Sequence, residues 1–195
     1  TFEVIVINDG STDNTENICK KILKNYSNLK IINMKLNAGK AYALDMGIQN
    51  SKGKIIGTID ADLQYSSKNL IDMIKLIYKG NDIVNGKRVS RKDHSITIFF
   101  SYIYNYLISN FFLIRSGDFF SGIKVFKKEI YDLMEYAGMT RFIVFFSKKY
   151  NYKFIEIDVE HFPRLHGRTS YNFFDKLILS LKDIFSLVFC VYLDK

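Results

Sequence analysis

As far as Asn85 the chain alternates between short β-branched runs and stretches with helical spacing, and this alternation restricts the fold more than any other feature of the sequence. Residues 2–7 read as a strand that leads through Asn8-Asp9-Gly10-Ser11 into a helix expected from about 13 to 26, with Ile18, Ile22 and Leu23 on its apolar side. Residues 29–34 form a second predicted strand, 38–49 a second helix, and 55–59 a third strand entered through Gly53. A helix over 69–78 and a short strand at 82–85 complete the series. Such alternation predicts an α/β fold whose sheet is mostly parallel and flanked by helices. Ligands of these sheets sit beyond the carboxyl ends of strands, where Asp9, Asp60 and the 86–91 loop all fall.

The third strand runs into two carboxylates, Asp60 and Asp62. Residues two apart in an extended chain point to one side, so both could face one hard cation. The Gln64 carbonyl is a possible further oxygen ligand. Oxygen-only ligands at a strand end suit Mg²⁺ or Mn²⁺ holding a diphosphate. Taken alone, the pair reads equally well as a cap, with Asp62 opening the helix that follows.

A chain of 195 residues is long enough for one domain with a sizeable core. Hydrophobic residues make up 48% and charged residues 25%, which excludes large-scale disorder. The net charge of +8 implies an anionic partner. Its basic residues are dispersed rather than gathered into a nucleic-acid arm, so phosphates and an anionic membrane surface rank above nucleic acid. Cys19 and Cys190 match no metal spacing, and a reducing compartment is the default. The chain opens at Thr1 almost inside a strand, which predicts a piece of a longer protein.

Residues 95–114 carry no charge, yet Thr97, Ser101, Asn105 and Ser109 draw a polar stripe along them. An amphipathic helix packed on the domain and touching a membrane surface is the expectation, ahead of a bilayer span. Residues 117–127 read as irregular-to-strand, 129–136 and 141–150 as helices, and 153–159 as a strand. A basic loop follows at 161–171, in which His161 and His166 read as solvated. The last helix, from 172 to about 192, is interrupted by Asp175, Lys176, Lys182 and Asp183 and reads as interfacial. Residues 1–171 are thus expected to form one domain and 172–195 a juxtamembrane amphipathic helix.

Six stretches, taken in order, resemble the family 2 glycosyltransferases of the GT-A fold, with a Rossmann-like sheet. They are Val6-Ile7-Asn8-Asp9-Gly10-Ser11-Thr12-Asp13, Asn37-Ala38-Gly39-Lys40, Asp60-Ala61-Asp62-Leu63-Gln64, Gly86-Lys87-Arg88, Asp118-Phe119-Phe120-Ser121-Gly122-Ile123-Lys124, and the run from Val159 to Gly167. Within the family they are most similar to the polyprenyl-phosphate branch, which includes dolichol-phosphate mannosyltransferases and undecaprenyl-phosphate sugar transferases. Two positions depart from that branch. Tyr65-Ser66-Ser67 stands where a proline usually follows the metal motif, and Ser170 replaces a lysine near the end of the basic loop, beside Thr169.

The resemblance implies a metal-dependent, inverting transfer of a sugar from a UDP- or GDP-linked donor to a polyprenyl phosphate, at the cytoplasmic face of a membrane. Asp9, Ser11, Lys40, Asp60, Asp62, Arg88 and Arg91 would bind the donor. The metal would sit on Asp60, Asp62 and Gln64. Lys124, Arg164 and Thr169 would meet the acceptor phosphate, and Asp118 would orient acceptor or sugar, or act as a base. A phosphate monoester has its second pKa near ~6, so its attacking oxygen is largely ionised at neutral pH. The nearest rival keeps the fold and exchanges the acceptor for a glycan hydroxyl. A phosphohydrolase is disfavoured because Gln64 stands where that chemistry wants a hydroxyl. A non-catalytic membrane-associated module is the remaining alternative.

Overall fold

The computed structural model describes residues 1–89, 95–134 and 142–163. The chain divides into two compact units, Thr1–Ile56 with Lys127–Arg141 and Gly57–Phe126 with Phe142–Lys195.

In the first unit, β1 (Val4–Asn8) and β2 (Leu29–Asn33) are parallel, with Val4 opposite Leu29 and Asn8 opposite Asn33. The helix α1 (Thr15–Leu23) joins them and packs on β2, while α2 (Lys40–Gln49) packs on β1. Ile18 and Ile22, expected to be covered, are exposed, because a two-stranded ribbon offers a helix little surface to cover.

A second sheet has the strand order β3-β5-β4-β6, with β3 at Ile55–Thr58, β4 at Ile83–Val89, β5 at Lys124–Lys127 and β6 at Phe154–Glu160. The strands β4 and β6 are parallel, whereas β4 and β5 are antiparallel. The expected mostly parallel sheet is therefore a mixed one. β5 starts beside Asn85, with Lys124 as its partner, and runs back along β4 to pair Phe126 with Ile83. In the second unit α3 (Ser67–Tyr78) begins two residues before its expected start, because the Ser66 side chain accepts the Lys68 N–H and caps it. Met73 and Ile77 form its buried face.

The helices α4 (Ser95–Phe112) and α6 (Ile143–Lys149) share an aromatic core with the chain between α4 and β5. Phe119 stacks on Phe145 at 4.8 Å, and Phe112 meets the same ring edge-on at 4.9 Å. On α4 two residues of the predicted polar stripe turn inward: buried Asn105 accepts the Phe119 N–H at 3.3 Å, and Ser109 donates to the Ile114 carbonyl at 2.6 Å. Its outward face carries Phe99, Tyr102, Tyr106 and Phe111, with Tyr102 70% exposed. Among the described residues no helix is long and apolar enough to cross a membrane. In the first unit α5 (Lys128–Asp132) follows β5 directly and ends sooner than the predicted 129–136 helix. The predicted helix at 172–192 and the boundary at 171 lie outside the described residues.

Candidate active site

The first unit supplies a turn at the end of β1. Asp9 accepts the Ala38 N–H at 2.8 Å on one oxygen and the Gly39 N–H at 2.9 Å on the other. It thereby ties the β1 turn to the residues that open α2. Gly10 lies between them with φ of 66°, and a Cβ there would sit 2.5 Å from the Asn37 nitrogen, so only glycine fits. The Asn8 side chain donates to Asn33 and accepts the Ser11 N–H. Lys40, exposed, begins α2.

The second unit holds the other constellation. Asp60 and Asp62 follow the end of β3, both half-buried. The cap of α3 is Ser66, which leaves Asp62 clear of the capping role its position also suited. The turn is tight: Leu63 has φ of 61°, a conformation uncommon outside glycine and costly for a bulky residue. It is held by the Gln64 N–H donating to Asp62 at 3.2 Å and by a reciprocal clamp between Gln64 and Phe162. In that clamp the Gln64 side chain donates to the Phe162 carbonyl at 3.1 Å, and the Phe162 N–H donates back to the Gln64 carbonyl at 2.9 Å. The Gln64 carbonyl, expected as a metal ligand, accepts one hydrogen bond in this clamp.

Asp60 lies directly against Gly122. A Cβ on that glycine would sit 2.7 Å from the Asp60 carboxyl carbon and would overlap its Oδ2. The carboxylate therefore occupies the space a side chain would fill. Among the described residues no group of three or more His, Cys, Asp or Glu side chains gathers to enclose an ion. The donor set is two carboxylates on one turn, and a small divalent cation bound in this way completes its shell with phosphate oxygens and water. Asp60 and Asp62 fit such an ion.

Arg88, expected in a loop, lies inside β4 and meets Asp118 in a bidentate pair. Its Nε donates to Oδ2 at 2.6 Å and its Nη2 to Oδ1 at 2.8 Å, while the Arg88 backbone N–H reaches Oδ2 at 3.3 Å. Both side chains are largely shielded from water. Burial pushes the Asp118 carboxyl up, but the hydrogen bonds and positive charge of Arg88 outweigh it and hold the group below the usual carboxylate range. Phe119, buried in the aromatic core, anchors the next residue in the chain.

Two expectations change here. Lys124 was expected at the acceptor phosphate. It is instead buried, and its ammonium donates to the Ser121 carbonyl at 2.6 Å, because the first residue of β5 points into the protein. His161 was expected in solvent and is buried edge-on against Tyr65, with ring centroids 5.3 Å apart. Arg91, Arg164, Thr169 and His166 lie outside the described residues.

Three further residues belong to this constellation. The buried Tyr65 hydroxyl accepts the Gly122 N–H at 3.0 Å, joining the Asp60–Asp62 turn to the segment that carries Asp118. Burial raises the Tyr65 pKa despite the nearby Arg88, so the hydroxyl stays protonated. Asn85 and Glu156, on neighbouring strands, hold the backbone on either side of Asp118. Nothing in the sequence singled out Asn85, which ends the predicted 82–85 strand.

Comparison with known proteins now decides the family. The model of glycosyl transferase family 2 matches residues 1–146. The chain belongs to this family.

This family 2 chain is similar to an undecaprenyl-phosphate 4-deoxy-4-formamido-L-arabinose transferase of Photorhabdus laumondii, with 29% identity over 94% of the chain and 57% of that protein. It is 28% identical to a dodecaprenyl-phosphate galacturonate synthase of Rhizobium johnstonii, over 96% of the chain and again 57% of the relative. The family 2 chain thus spans little more than half the length of these curated relatives. Its GT-A fold is shared with glucosyl-3-phosphoglycerate synthase of Mycobacterium tuberculosis, solved with Mn²⁺, UDP and glucosyl-3-phosphoglycerate. That match has a TM-score of 0.69 and 14% identity, covering 96% of the chain and 68% of the solved protein.

Proposed function

We propose that this chain is the catalytic region of an inverting glycosyltransferase that moves a sugar from a nucleoside diphosphate to a polyprenyl phosphate. The observation that carries the acceptor assignment is the Arg88–Asp118 pair. A general base for a hydroxyl acceptor works best with a pKa near the operating pH. Asp118 is held in the opposite direction, with both carboxylate oxygens already accepting from Arg88. Such a group is a poor base and a good anchor. A phosphate acceptor needs no base, since it is largely ionised at neutral pH. The two relatives, named for undecaprenyl and dodecaprenyl phosphate, support the same reading.

In this proposal an acceptor phosphate oxygen forms a bond to the anomeric carbon as the bond to the donor diphosphate breaks, and the electron pair leaves with the diphosphate. A Mg²⁺ or Mn²⁺ ion bound by Asp60 and Asp62 supplies Lewis-acid neutralisation of that leaving group. Arg88, aimed by Asp118, adds charge-assisted contacts to phosphate oxygens. Asp9, Ser11 and Lys40 serve the nucleotide end, and Arg91 the diphosphate. Arg164 and Thr169 take the acceptor phosphate, while Lys124 supports the acceptor side and Gln64 the turn of the metal pair. Asp118 thereby acts as a positioning group. The outward aromatic face of α4 supports docking at a lipid surface. The cytoplasmic face suits the reducing compartment inferred from the cysteines.

A transfer assay on the full-length protein tests this, with Mn²⁺, a panel of UDP- and GDP-sugars, and either polyprenyl phosphate or a hydroxyl-bearing glycan as acceptor. Transfer to the lipid phosphate is the expected result. Transfer to the glycan alone would assign the hydroxyl acceptor instead.

A further inference from the structure

On β6, Glu156 gathers four donors. It accepts the Ser116 hydroxyl at 2.6 Å, the Gly117 N–H at 2.7 Å, the Asp118 N–H at 3.3 Å and the Asn85 side-chain N–H at 2.9 Å. The parallel register of β4 and β6 puts Asn85 opposite Glu156. From there the same Asn85 amide also donates to the Asp118 carbonyl at 2.8 Å. The backbone of Asp118 is therefore gripped at its N–H by Glu156 and at its C=O by the amide that Glu156 holds.

We infer that Glu156 is a positioning residue for the proposed transfer, acting through the 116–118 turn to set the Asp118 carboxylate, and through it the Arg88 guanidinium. An ionised carboxylate accepts only, and every group facing it here donates. A neutral amide of the same shape cannot satisfy them all, because its NH₂ would point at other donors. A bidentate guanidinium–carboxylate contact depends on the relative placement of two planar groups, so a small shift of the turn uncouples it. No residue of the sequence resemblance pointed to this role. It emerges only when β4, β6 and the turn are seen together.

The inference rests on the proposed function for its catalytic meaning, and the test separates the two. Solvent exchange of the Arg88 Nε–H is measured by NMR in the full-length wild-type protein and in Glu156→Gln. The exchange should be faster in the variant by about tenfold, the amount that one net hydrogen bond controls. Ser116→Ala removes one donor and leaves the carboxylate, so it gives a smaller acceleration and serves if Glu156→Gln does not fold. Unchanged exchange in the variants that fold overturns the inference, whatever the activity. In the transfer assay, Glu156→Gln should lower kcat by about tenfold in the wild-type background and very little beside Asp118→Asn, since coupled sites are non-additive. Equal losses in both backgrounds would also overturn it. A wild-type protein that transfers no sugar but shows the exchange difference would sink the transferase reading and leave the positioning role standing.

Discussion

The Arg88 guanidinium meets the Asp118 carboxylate edge to edge, with Nε 2.6 Å from one oxygen and Nη2 2.8 Å from the other. The two ends of the pair are not interchangeable when mutated. Asp118→Ala leaves a shielded guanidinium without its carboxylate and should destabilise the fold by about 3 kcal/mol, in the range for breaking a buried pair. Arg88→Lys keeps the charge, loses the planar fork and should cost less stability but most of the transfer activity. Urea unfolding and initial rates on the same preparations distinguish these outcomes.

The pair also makes stability depend on pH. Asp118 has a folded pKa below its unfolded value near ~3.9, so its contribution is present above that value and is lost as pH falls through the folded pKa. In that window the unfolded chain binds the extra proton, and stability rises with pH. The difference in urea midpoint between wild type and Asp118→Asn should be constant above about pH 5 and shrink on further acidification. A difference that grew towards acid would contradict the direction assigned to Asp118.

Gly122→Ala is expected to be far more harmful than its size suggests. The new methyl would occupy the position of an Asp60 carboxylate oxygen, so the Asp60 side chain must leave the place it now holds. Mn²⁺-dependent binding of UDP should weaken by tenfold or more, about 1.4 kcal/mol. Calorimetric titration with and without the metal reads this directly, and an unchanged metal dependence would disconnect Gly122 from the ion.

Asp9→Ala should loosen the opening of α2. Two charge-assisted hydrogen bonds, to Ala38 and Gly39, disappear, with an expected loss of about 2 kcal/mol. Hydrogen exchange at those two amides would accelerate while the amides of β4 stay protected.

The sequence carried the local part of this site and little of its wiring. Asp60 and Asp62 were singled out by their spacing at a strand end, although the structure carries them on a turn past that end, and Asp9 because a strand end followed by Asp-Gly is a strong turn signal. Arg88 and Asp118 were each singled out, but their pairing joins residues separated by a whole helix and has no local signature. Glu156 looked like one more alternating strand residue until its register with Asn85 was known. The mixed sheet was invisible for a similar reason: a short apolar strand such as β5 carries no mark of its direction. Lys124 was assigned by its residue type, and nothing local announced that its strand position turns it inward. Periodicity on α4 grouped the correct residues on one face but could not say which face the body of the protein would take. The inward face pairs Asn105, which accepts the Phe119 N–H, with the buried Ile108 and Phe112.

The orientation of α4 reverses the usual relation between a side chain's chemistry and how freely it can vary. Along most helices a serine or asparagine is replaceable and a buried phenylalanine is not. Here Asn105 and Ser109 are fixed points beside the buried Ile108 and Phe112, and the rings of Tyr102 and Tyr106 are exposed. Substitution tables built on water-soluble helices would misjudge these positions, marking Asn105 and Ser109 as tolerant and the outer rings as essential to folding.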